Sequence, residues 1–319
     1  MVLAKMKPFA FRLLGVGILV GWIGFGFLEA RMWTSSDGKT IKAEFVSATD
    51  TEVTIVRADG KEFTMPLTRL SDDDRAWIQA NKDELMKATE AANAKPIEGP
   101  FAELVTGQFE LSTHGELPFA FYGSLDFDGA KQYPLLLVLH GKSANNENGK
   151  QAGMARRFTI AEVQDQYPCF VVAPLCYQPY GATGGGWSDK PGEEAIALVE
   201  ALIEGLPVDE ARIYVTGNSM GGFGTCHLMA EAPKLFTAGV AVAGYGRDDH
   251  ADDLKREPLR LYHAADDPVV EVAGARLFAE AMKRSDTFLY TEYPDGGHGI
   301  YGRVFEDPGT LEWLFGQRD

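Results

Sequence analysis

Residues 213–221 read Ile-Tyr-Val-Thr-Gly-Asn-Ser-Met-Gly, and this stretch decides the fold class of the C-terminal part of the chain. It begins as an apolar strand and ends in the pattern G-x-S-x-G, in which Ser219 lies between Gly217 and Gly221. That pattern is typical of a sharp turn from a strand into a helix, because larger residues at the glycines would meet neighbouring backbone. The helix is predicted over 223–230, with its positive N-terminal end towards the serine.

Apolar runs that alternate with amphipathic stretches extend from Phe101 to the C-terminus. The runs are typical of buried strands, and the amphipathic stretches are typical of helices. Together they indicate a mostly parallel sheet covered on both faces, in which ligands bind at the carboxyl ends of the strands. The predicted strands lie at 135–139, 170–173, 213–215, 239–242, 259–262 and 288–290.

Ser219 follows one of these strands, where it can act as a nucleophile if a base and an orienting carboxylate are close. His298 follows the last predicted strand, and Asp267 follows the strand before it. The order serine, aspartate, histidine along the chain is the one that accompanies the G-x-S-x-G turn. Asp266 remains an alternative to Asp267, and Asp295 is the reserve candidate although it is very near His298 in sequence.

The same chemistry needs backbone N–H groups that stabilise an oxyanion. Met220 directly follows the serine and is one candidate donor. The loop after the first predicted strand begins with His140-Gly141, which resembles the His-Gly pair of many esterases whose next residue donates its amide, and this resemblance makes Lys142 the other candidate. His140 is expected to be structural and not a member of the triad. Trp187 and Tyr180 either border the substrate cleft or cap the core. The tentative cleft residues are His140, Gly141, Tyr180 and Trp187.

The region 101–319 resembles a family of extracellular esterases and predicted peptidases of the α/β-hydrolase superfamily, related to dienelactone hydrolase and polyhydroxybutyrate depolymerase. The resemblance implies the α/β-hydrolase fold, a mostly parallel sheet flanked by helices, with Ser219, Asp267 and His298 as catalytic triad. It also implies hydrolysis of a carboxylic ester, borne by a small molecule or a polymer, through an acyl-enzyme. The matching strings lie at 133–141, 173–174, 217–222 and 291–298.

The sequence departs from this family at two places. Lys-Ser-Ala-Asn-Asn follows Gly141 where relatives usually have another glycine, and Ala264 follows His263 where relatives often have glycine. The first departure bears on the geometry of the oxyanion loop.

Two other classes of function compete with the esterase. A serine peptidase of the prolyl-oligopeptidase type uses the same triad, and the sequence does not separate amide from ester hydrolysis. A non-catalytic binding protein would keep the fold and lose triad members, whereas this chain keeps all of them. No metal or cofactor is expected. The glycine run at 184–186 is not a phosphate loop that binds a nucleotide, because it lacks the Lys-[Ser/Thr] pair.

A separate small module is predicted over 31–86, followed by a linker at 87–100 that is rich in small residues, proline and glycine. Alternating apolar residues indicate short strands, and Asp-Gly pairs at 37–38 and 59–60 indicate hairpin turns. Ser71 is expected to open a helix. The module resembles the SLA1 homology domain 1, a small SH3-like β-barrel. This implies a peptide or surface partner, and a simple spacer is an equal alternative.

The first thirty residues read as an export signal. Basic residues precede an apolar, glycine-rich run at 13–28, in the order of a signal peptide. The segment 1–30 is therefore predicted to direct export to the periplasm or outside the cell. It is either cleaved or retained as a membrane anchor.

The overall composition limits the classes of binding partner that we expect. The net charge of -16 repels phosphate backbones, so nucleic acid is not an expected partner. An odd number of cysteines cannot form a complete disulfide framework, and Cys169, Cys176 and Cys226 are expected to be buried free thiols.

Overall fold

A computed structural model describes residues 30–142, 149–178, 180–181 and 184–319 of the chain. The chain divides into two compact units, Met1–Ala92 and Asn93–Asp319. Apart from Ala30, the predicted export segment lies outside the described residues. Within the described ranges, no helix combines the length and apolar character needed to cross a membrane.

The first unit contains a small antiparallel sheet followed by one long helix. Alternate strand residues such as Trp33, Phe45 and Ile55 are buried, and Ile78 of the helix packs with them. The period-two pattern in the sequence therefore reflects a sheet with one buried face and one more exposed face. Its elements in chain order are β1 (Arg31–Thr34), β2 (Thr40–Ala48), β3 (Glu52–Val56), β4 (Glu62–Pro66) and α1 (Asp72–Asn93).

The start of α1 follows from its capping residue. Ser71 Oγ accepts a hydrogen bond from the backbone N–H of Asp74 at 3.2 Å, and the buried Asp74 carboxylate accepts one from Arg31 at 2.7 Å. The helix continues to Asn93 and so overlaps the predicted linker, which began at Lys87. The reason is the alanine content of this stretch, since alanine has the highest helix propensity.

The second unit is built on an eight-stranded sheet with the order β14-β13-β12-β11-β7-β8-β6-β5. The strands from β14 to β8 in this order pair in parallel, whereas β6 pairs antiparallel with both β8 and β5. The predicted mostly parallel sheet is confirmed. Its strands are β5 (Glu110–His114), β6 (Leu117–Tyr122), β7 (Tyr133–Leu139), β8 (Phe170–Pro174), β11 (Val208–Asn218), β12 (Ala238–Val242), β13 (Leu259–Ala264) and β14 (Phe288–Tyr293), and β9 (Tyr180–Gly181) and β10 (Gly184–Gly185) pair separately.

Helices cover both faces of this sheet, which explains why its central strands are apolar throughout. In β7, Leu135 and Leu137 join a core with Leu198 and Phe278, while Leu136 joins a second core on the opposite face. Each fully buried leucine contributes about 1.5–3 kcal/mol. The helices are α2 (Ala152–Ala155), α3 (Ala161–Gln166), α4 (Lys190–Gly205), α5 (Met220–Glu231), α6 (His250–Leu254), α7 (Val272–Ala281), α8 (Tyr301–Glu306) and α9 (Pro308–Gly316).

The cysteines take part in this packing as apolar residues. Cys169, Cys176 and Cys226 are buried and free, as the sequence predicts. Burial raises the pKa of each thiol to about 12, so they stay protonated and unreactive at neutral pH.

Candidate active site

Ser219 occupies a strained turn between β11 and α5. Its backbone has φ 57° and ψ -119°, a conformation that L-residues rarely adopt. Two close approaches hold the turn in place. A Cβ on Gly217 would lie 2.3 Å from the carbonyl oxygen of Gly221, and a Cβ on Gly221 would lie 2.0 Å from that of Leu139. Both glycines are therefore required by the geometry of the turn.

His298 and Asp267 are joined by a hydrogen bond. The distance between His298 Nδ1 and Asp267 Oδ2 is 2.8 Å. Because a carboxylate only accepts, Nδ1 carries the proton, and in the neutral ring Nε2 keeps the lone pair that a base requires. The Asp267 side chain is fully buried, whereas 23% of the His298 side chain is exposed.

The Asp267 carboxylate is also bound by the backbone of its own loop. Its Oδ1 accepts hydrogen bonds from the amides of Val269 at 2.8 Å and Val270 at 3.0 Å. Burial acts to raise the pKa of this carboxyl, but the hydrogen bonds from His298 and the two amides outweigh it, and the pKa is lowered. The group is therefore ionised at neutral pH and can stabilise an imidazolium at His298.

A cavity of about 750 Å³ brings Ser219 and His298 together, since both side chains line it. One wall is aromatic, because the rings of Phe223 and Tyr245 meet edge to face with centroids 4.8 Å apart. Besides Ser219 and His298, the residues that line the cavity are Gly141, Lys142, Asn218, Met220, Phe223, Tyr245, Val269, Val270 and Glu271.

The two predicted oxyanion donors lie on segments that adjoin the serine. Met220 is the first residue of α5, where backbone N–H groups have no partner within the helix. Gly141 is so near that a Cβ on it would lie 3.5 Å from Ser219 Cβ, and Lys142 follows it on the cavity wall. Both segments can therefore present amides next to Ser219.

Two of the tentative cleft residues, His140 and Trp187, lie in the core and do not line the cavity. The His140 ring donates from Nδ1 to the carbonyl of Gly141 at 2.7 Å and accepts at Nε2 from the amide of Cys176 at 2.9 Å. Trp187 Nε1 donates to the His140 carbonyl at 3.1 Å. These hydrogen bonds hold the loop before Lys142 in place. The side chain of Tyr180 lies outside the described residues.

The structure adds a residue that sequence reasoning did not select. His263 is completely buried, and its Nε2 lies 3.0 Å from the carbonyl oxygen of Val270 and 3.3 Å from Asp267 Oδ2. Both neighbours only accept hydrogen bonds, so Nε2 carries the proton, which it donates to the carbonyl of Val270, and this N–H lies beside Asp267 Oδ2. The sequence showed His263 at a strand end, but its contact depends on how the following loop folds back.

Neither of the alternative carboxylates bonds to the His298 ring. Asp266 accepts a hydrogen bond from the backbone N–H of Gly297 at 2.8 Å, which ties the loop that carries His298. Asp295 forms an ion pair with Arg303 at 3.0 Å.

Comparison with known proteins places this unit among hydrolases. Residues 180–247 match the prolyl oligopeptidase family, Peptidase_S9. A probable feruloyl esterase C of Aspergillus niger is 26% identical over 162 residues, covering 49% of this chain and 56% of the relative. A probable glutamyl endopeptidase of Arabidopsis thaliana chloroplasts is 31% identical over 129 residues, covering 39% of this chain and 12% of the relative.

Among solved structures, a thermostable esterase superposes with a TM-score of 0.60 and 28% identity, covering 68% of this chain and 64% of that one. Of the curated relatives, the chain covers 56% of the length of the feruloyl esterase and 12% of the length of the glutamyl endopeptidase. With the strand order and the turn at Ser219, these likenesses establish that the second unit has the α/β-hydrolase fold.

Proposed function

We propose that this protein is a serine hydrolase that cleaves carboxylic esters. The observation that carries the proposal is the arrangement around one cavity: a nucleophile on a strained turn, and a histidine bound to a buried carboxylate at 2.8 Å. The esterase and feruloyl esterase relatives support the same reaction class.

In the proposed mechanism, His298 Nε2 takes the proton of Ser219 as the serine oxygen attacks the ester carbonyl carbon. The amides of Met220 and Lys142 stabilise the oxyanion of the tetrahedral intermediate. The imidazolium of His298, stabilised by Asp267, then protonates the leaving alcohol. Water, deprotonated by the same imidazole, releases the acid and restores Ser219.

His263 is assigned a positioning role in this mechanism. Its Nε2–H donates to the carbonyl of Val270 at 3.0 Å and lies 3.3 Å from Asp267 Oδ2, the oxygen that binds His298. With the amides of Val269 and Val270 on the other oxygen, the carboxylate is held from both sides. Such support fixes the rotamer of the carboxylate and hence the orientation of the catalytic imidazole.

For the substrate, we propose an ester with an aromatic acyl or alcohol group, such as a sugar ester of an aromatic acid. The edge-to-face pair of Phe223 and Tyr245 offers an aromatic surface beside Ser219, and Val269 and Val270 add apolar contacts. Two curated relatives carry the name feruloyl esterase, which supports an aromatic acid in this cavity.

A serine peptidase is the second candidate. It is favoured by the match of residues 180–247, which include Ser219, to the prolyl oligopeptidase family and by the glutamyl endopeptidase relative. The same residues would act on an amide, with His298 protonating the leaving amine.

A substrate panel separates these candidates. The purified chain lacking residues 1–30 is assayed with short-chain nitrophenyl esters, methyl esters of aromatic acids and peptide anilides. We expect ester hydrolysis that is lost in Ser219→Ala and kept in Ser36→Ala, an exposed serine of the first unit. Hydrolysis of anilides in preference to esters would favour the peptidase. Unchanged ester hydrolysis in Ser219→Ala would refute the assignment.

We also propose that the protein acts outside the cytoplasm and that its N-terminal β module binds a peptide or surface there. The support is the order of basic and apolar residues in 1–30 and the resemblance of the module described above. Cell fractionation of the full-length chain and of a chain lacking 1–30 tests this. Recovery of the full-length protein in the cytosol would contradict it.

A further inference from the structure

A second cluster of ionisable side chains lies on the nucleophile helix, at the end opposite Ser219. His227 and Glu231 are four residues apart on α5, and His250 is the first residue of α6. One ligand atom from each lies within 4.8 Å of the others. Among the described residues that line the active-site cavity, none belongs to this cluster.

The spacing of the two imidazoles fits a shared ion better than a hydrogen bond. His227 Nδ1 and His250 Nε2 are 3.4 Å apart. A tetrahedral Zn²⁺ with bonds of about 2.0–2.1 Å to nitrogen keeps its ligand atoms about 3.3 Å apart. Nitrogen–oxygen hydrogen bonds usually span about 2.7–3.2 Å, so 3.4 Å is long for a direct bond between the rings.

Glu231 is the third candidate ligand and lies on the solvent-exposed side of the two histidines. Its Oε1 lies 3.9 Å from His227 Nδ1, and 56% of its side chain is exposed, so a small rotation brings the oxygen into bonding range. The histidines are more enclosed, with exposed side-chain fractions of 13% for His227 and 5% for His250. Two fixed imidazoles and one mobile carboxylate are a common way to hold a divalent transition metal.

The charges around the cluster favour a cation. A neutral imidazole is the form that binds a metal, and His227 and His250 are both largely enclosed by protein. The charged groups that face them are Glu231, Asp189 and Asp249, which attract a cation, and Arg247, which repels it. Arg247 Nε donates a hydrogen bond of 2.9 Å to Asp249, so these two charges offset each other and Glu231 and Asp189 leave the surroundings net negative.

One contact competes with the ion. The backbone N–H of Arg247 lies 3.3 Å from His250 Nδ1. An ion on Nε2 of His250 puts the ring proton on Nδ1, so this contact is lost when the ion binds. At 3.3 Å it is already beyond the usual hydrogen-bond range, and little is given up.

We propose that His227, Glu231 and His250 bind one divalent transition-metal ion of the Zn²⁺ class, with water in the remaining position. The ion is structural. It joins α5 to α6. Helix α5 begins beside the proposed nucleophile, and α6 follows the segment that carries Tyr245 of the cavity wall. Because it binds only the folded chain, it raises the stability of this unit.

Metal binding is tested on the tag-free chain after treatment with a chelator and its removal. Calorimetric titration with Zn²⁺ should give one saturable site per chain, and thermal unfolding should shift upwards as Zn²⁺ increases. A rise in Tm of about 5–10 °C is expected at a hundredfold excess over Kd. Mg²⁺ should cause no shift, because it prefers oxygen ligands.

Variants locate the site. His227→Gln should abolish the Zn²⁺-induced shift, and Glu231→Gln should weaken binding about tenfold or more. His114→Gln, the same change at a histidine of β5, should leave both measurements unchanged. Ser219→Ala should bind Zn²⁺ like the wild type, because the ion has no part in the proposed hydrolysis. Absence of a one-to-one site in the wild type, or equal loss in His114→Gln and His227→Gln, would overturn the proposal.

Discussion

At the scale of single residues, the active site depends on a backbone conformation that costs free energy. Residues held in sparsely populated backbone regions cost about 1–3 kcal/mol each. Ser219 is such a residue, and the close packing of Gly217 and Gly221 against neighbouring carbonyls keeps it there. The motif glycines were predictable from the sequence because their role is local and steric.

The close approach at Gly221 gives a direct prediction. Gly221→Ala should lower the free energy of unfolding by about 3 kcal/mol or more, since its Cβ would lie 2.0 Å from the carbonyl oxygen of Leu139. Gly316→Ala is the matched control, because a Cβ there meets no described atom within 4 Å. Urea unfolding of both variants measures the difference. Equal stability of the two would show that the turn is not packed as described.

His263 gives a second prediction at this scale, which rests on the proposed function. His263→Leu should lower kcat for ester hydrolysis about tenfold, with little change in KM, because the Val270 carbonyl loses its donor and Asp267 loses the polar N–H beside its Oδ2. His263→Gln keeps an N–H donor and should recover most of the rate.

The steady-state parameters of both His263 variants are measured beside those of His114→Gln. Equal loss in the leucine and glutamine variants would mean that the side chain matters only for packing. Loss in Ser219→Ala together with normal rates in both His263 variants would remove the positioning role and leave the esterase intact.

At the scale of elements, the apolar strands and the order of strand and helix were predictable because burial on both faces leaves a simple pattern. The antiparallel strands β5 and β6 were not predicted, since β5 is partly exposed and β6 contains Pro118. Trp187 could not be placed from sequence, because an aromatic residue beside glycines suits a cleft and a core equally. Its burial depends on Gly192 and Gly224, which leave it room.

The buried histidines predict how stability depends on pH. Burial lowers the pKa of His140, His227 and His250 from the ordinary value of 6.5. Between that value and the lowered ones the unfolded chain binds more protons than the folded chain, so the free energy of unfolding falls as the pH falls.

We therefore expect the metal-free protein to have a lower Tm at pH 5.5 than at pH 7.5, with a smaller difference in His227→Gln. Thermal unfolding in chelator at both pH values checks this. A larger difference in His227→Gln than in the wild type would contradict the assigned burial.

At the scale of the whole molecule, the C-terminal unit carries every residue of the candidate site. The units Met1–Ala92 and Asn93–Asp319 have separate apolar cores. The sequence predicted the fold because chain order and local motifs carry it, and the same features are the basis of the proposed triad. It could not name the substrate, because the cavity walls come from distant segments such as those of Phe223 and Val270.

Separate cores imply separate stability. A chain of residues 93–319 should hydrolyse nitrophenyl esters with a kcat/KM within about threefold of the chain lacking 1–30. Steady-state kinetics of the two chains, with their circular dichroism spectra as a check on folding, measures this. A folded 93–319 chain without activity would place part of the catalytic machinery in the first unit.

The most direct test of the central assignment is the mass of the enzyme during turnover. When enzyme is mixed with no more than one molar equivalent of a nitrophenyl ester, nitrophenol should be released in a burst. The intact mass of the enzyme should rise by one acyl group. Peptide mapping should place that group on Ser219, and Asp267→Asn should slow its formation strongly. An acyl group on any other residue, or turnover with no acylated species under conditions where deacylation is slow, would contradict the account.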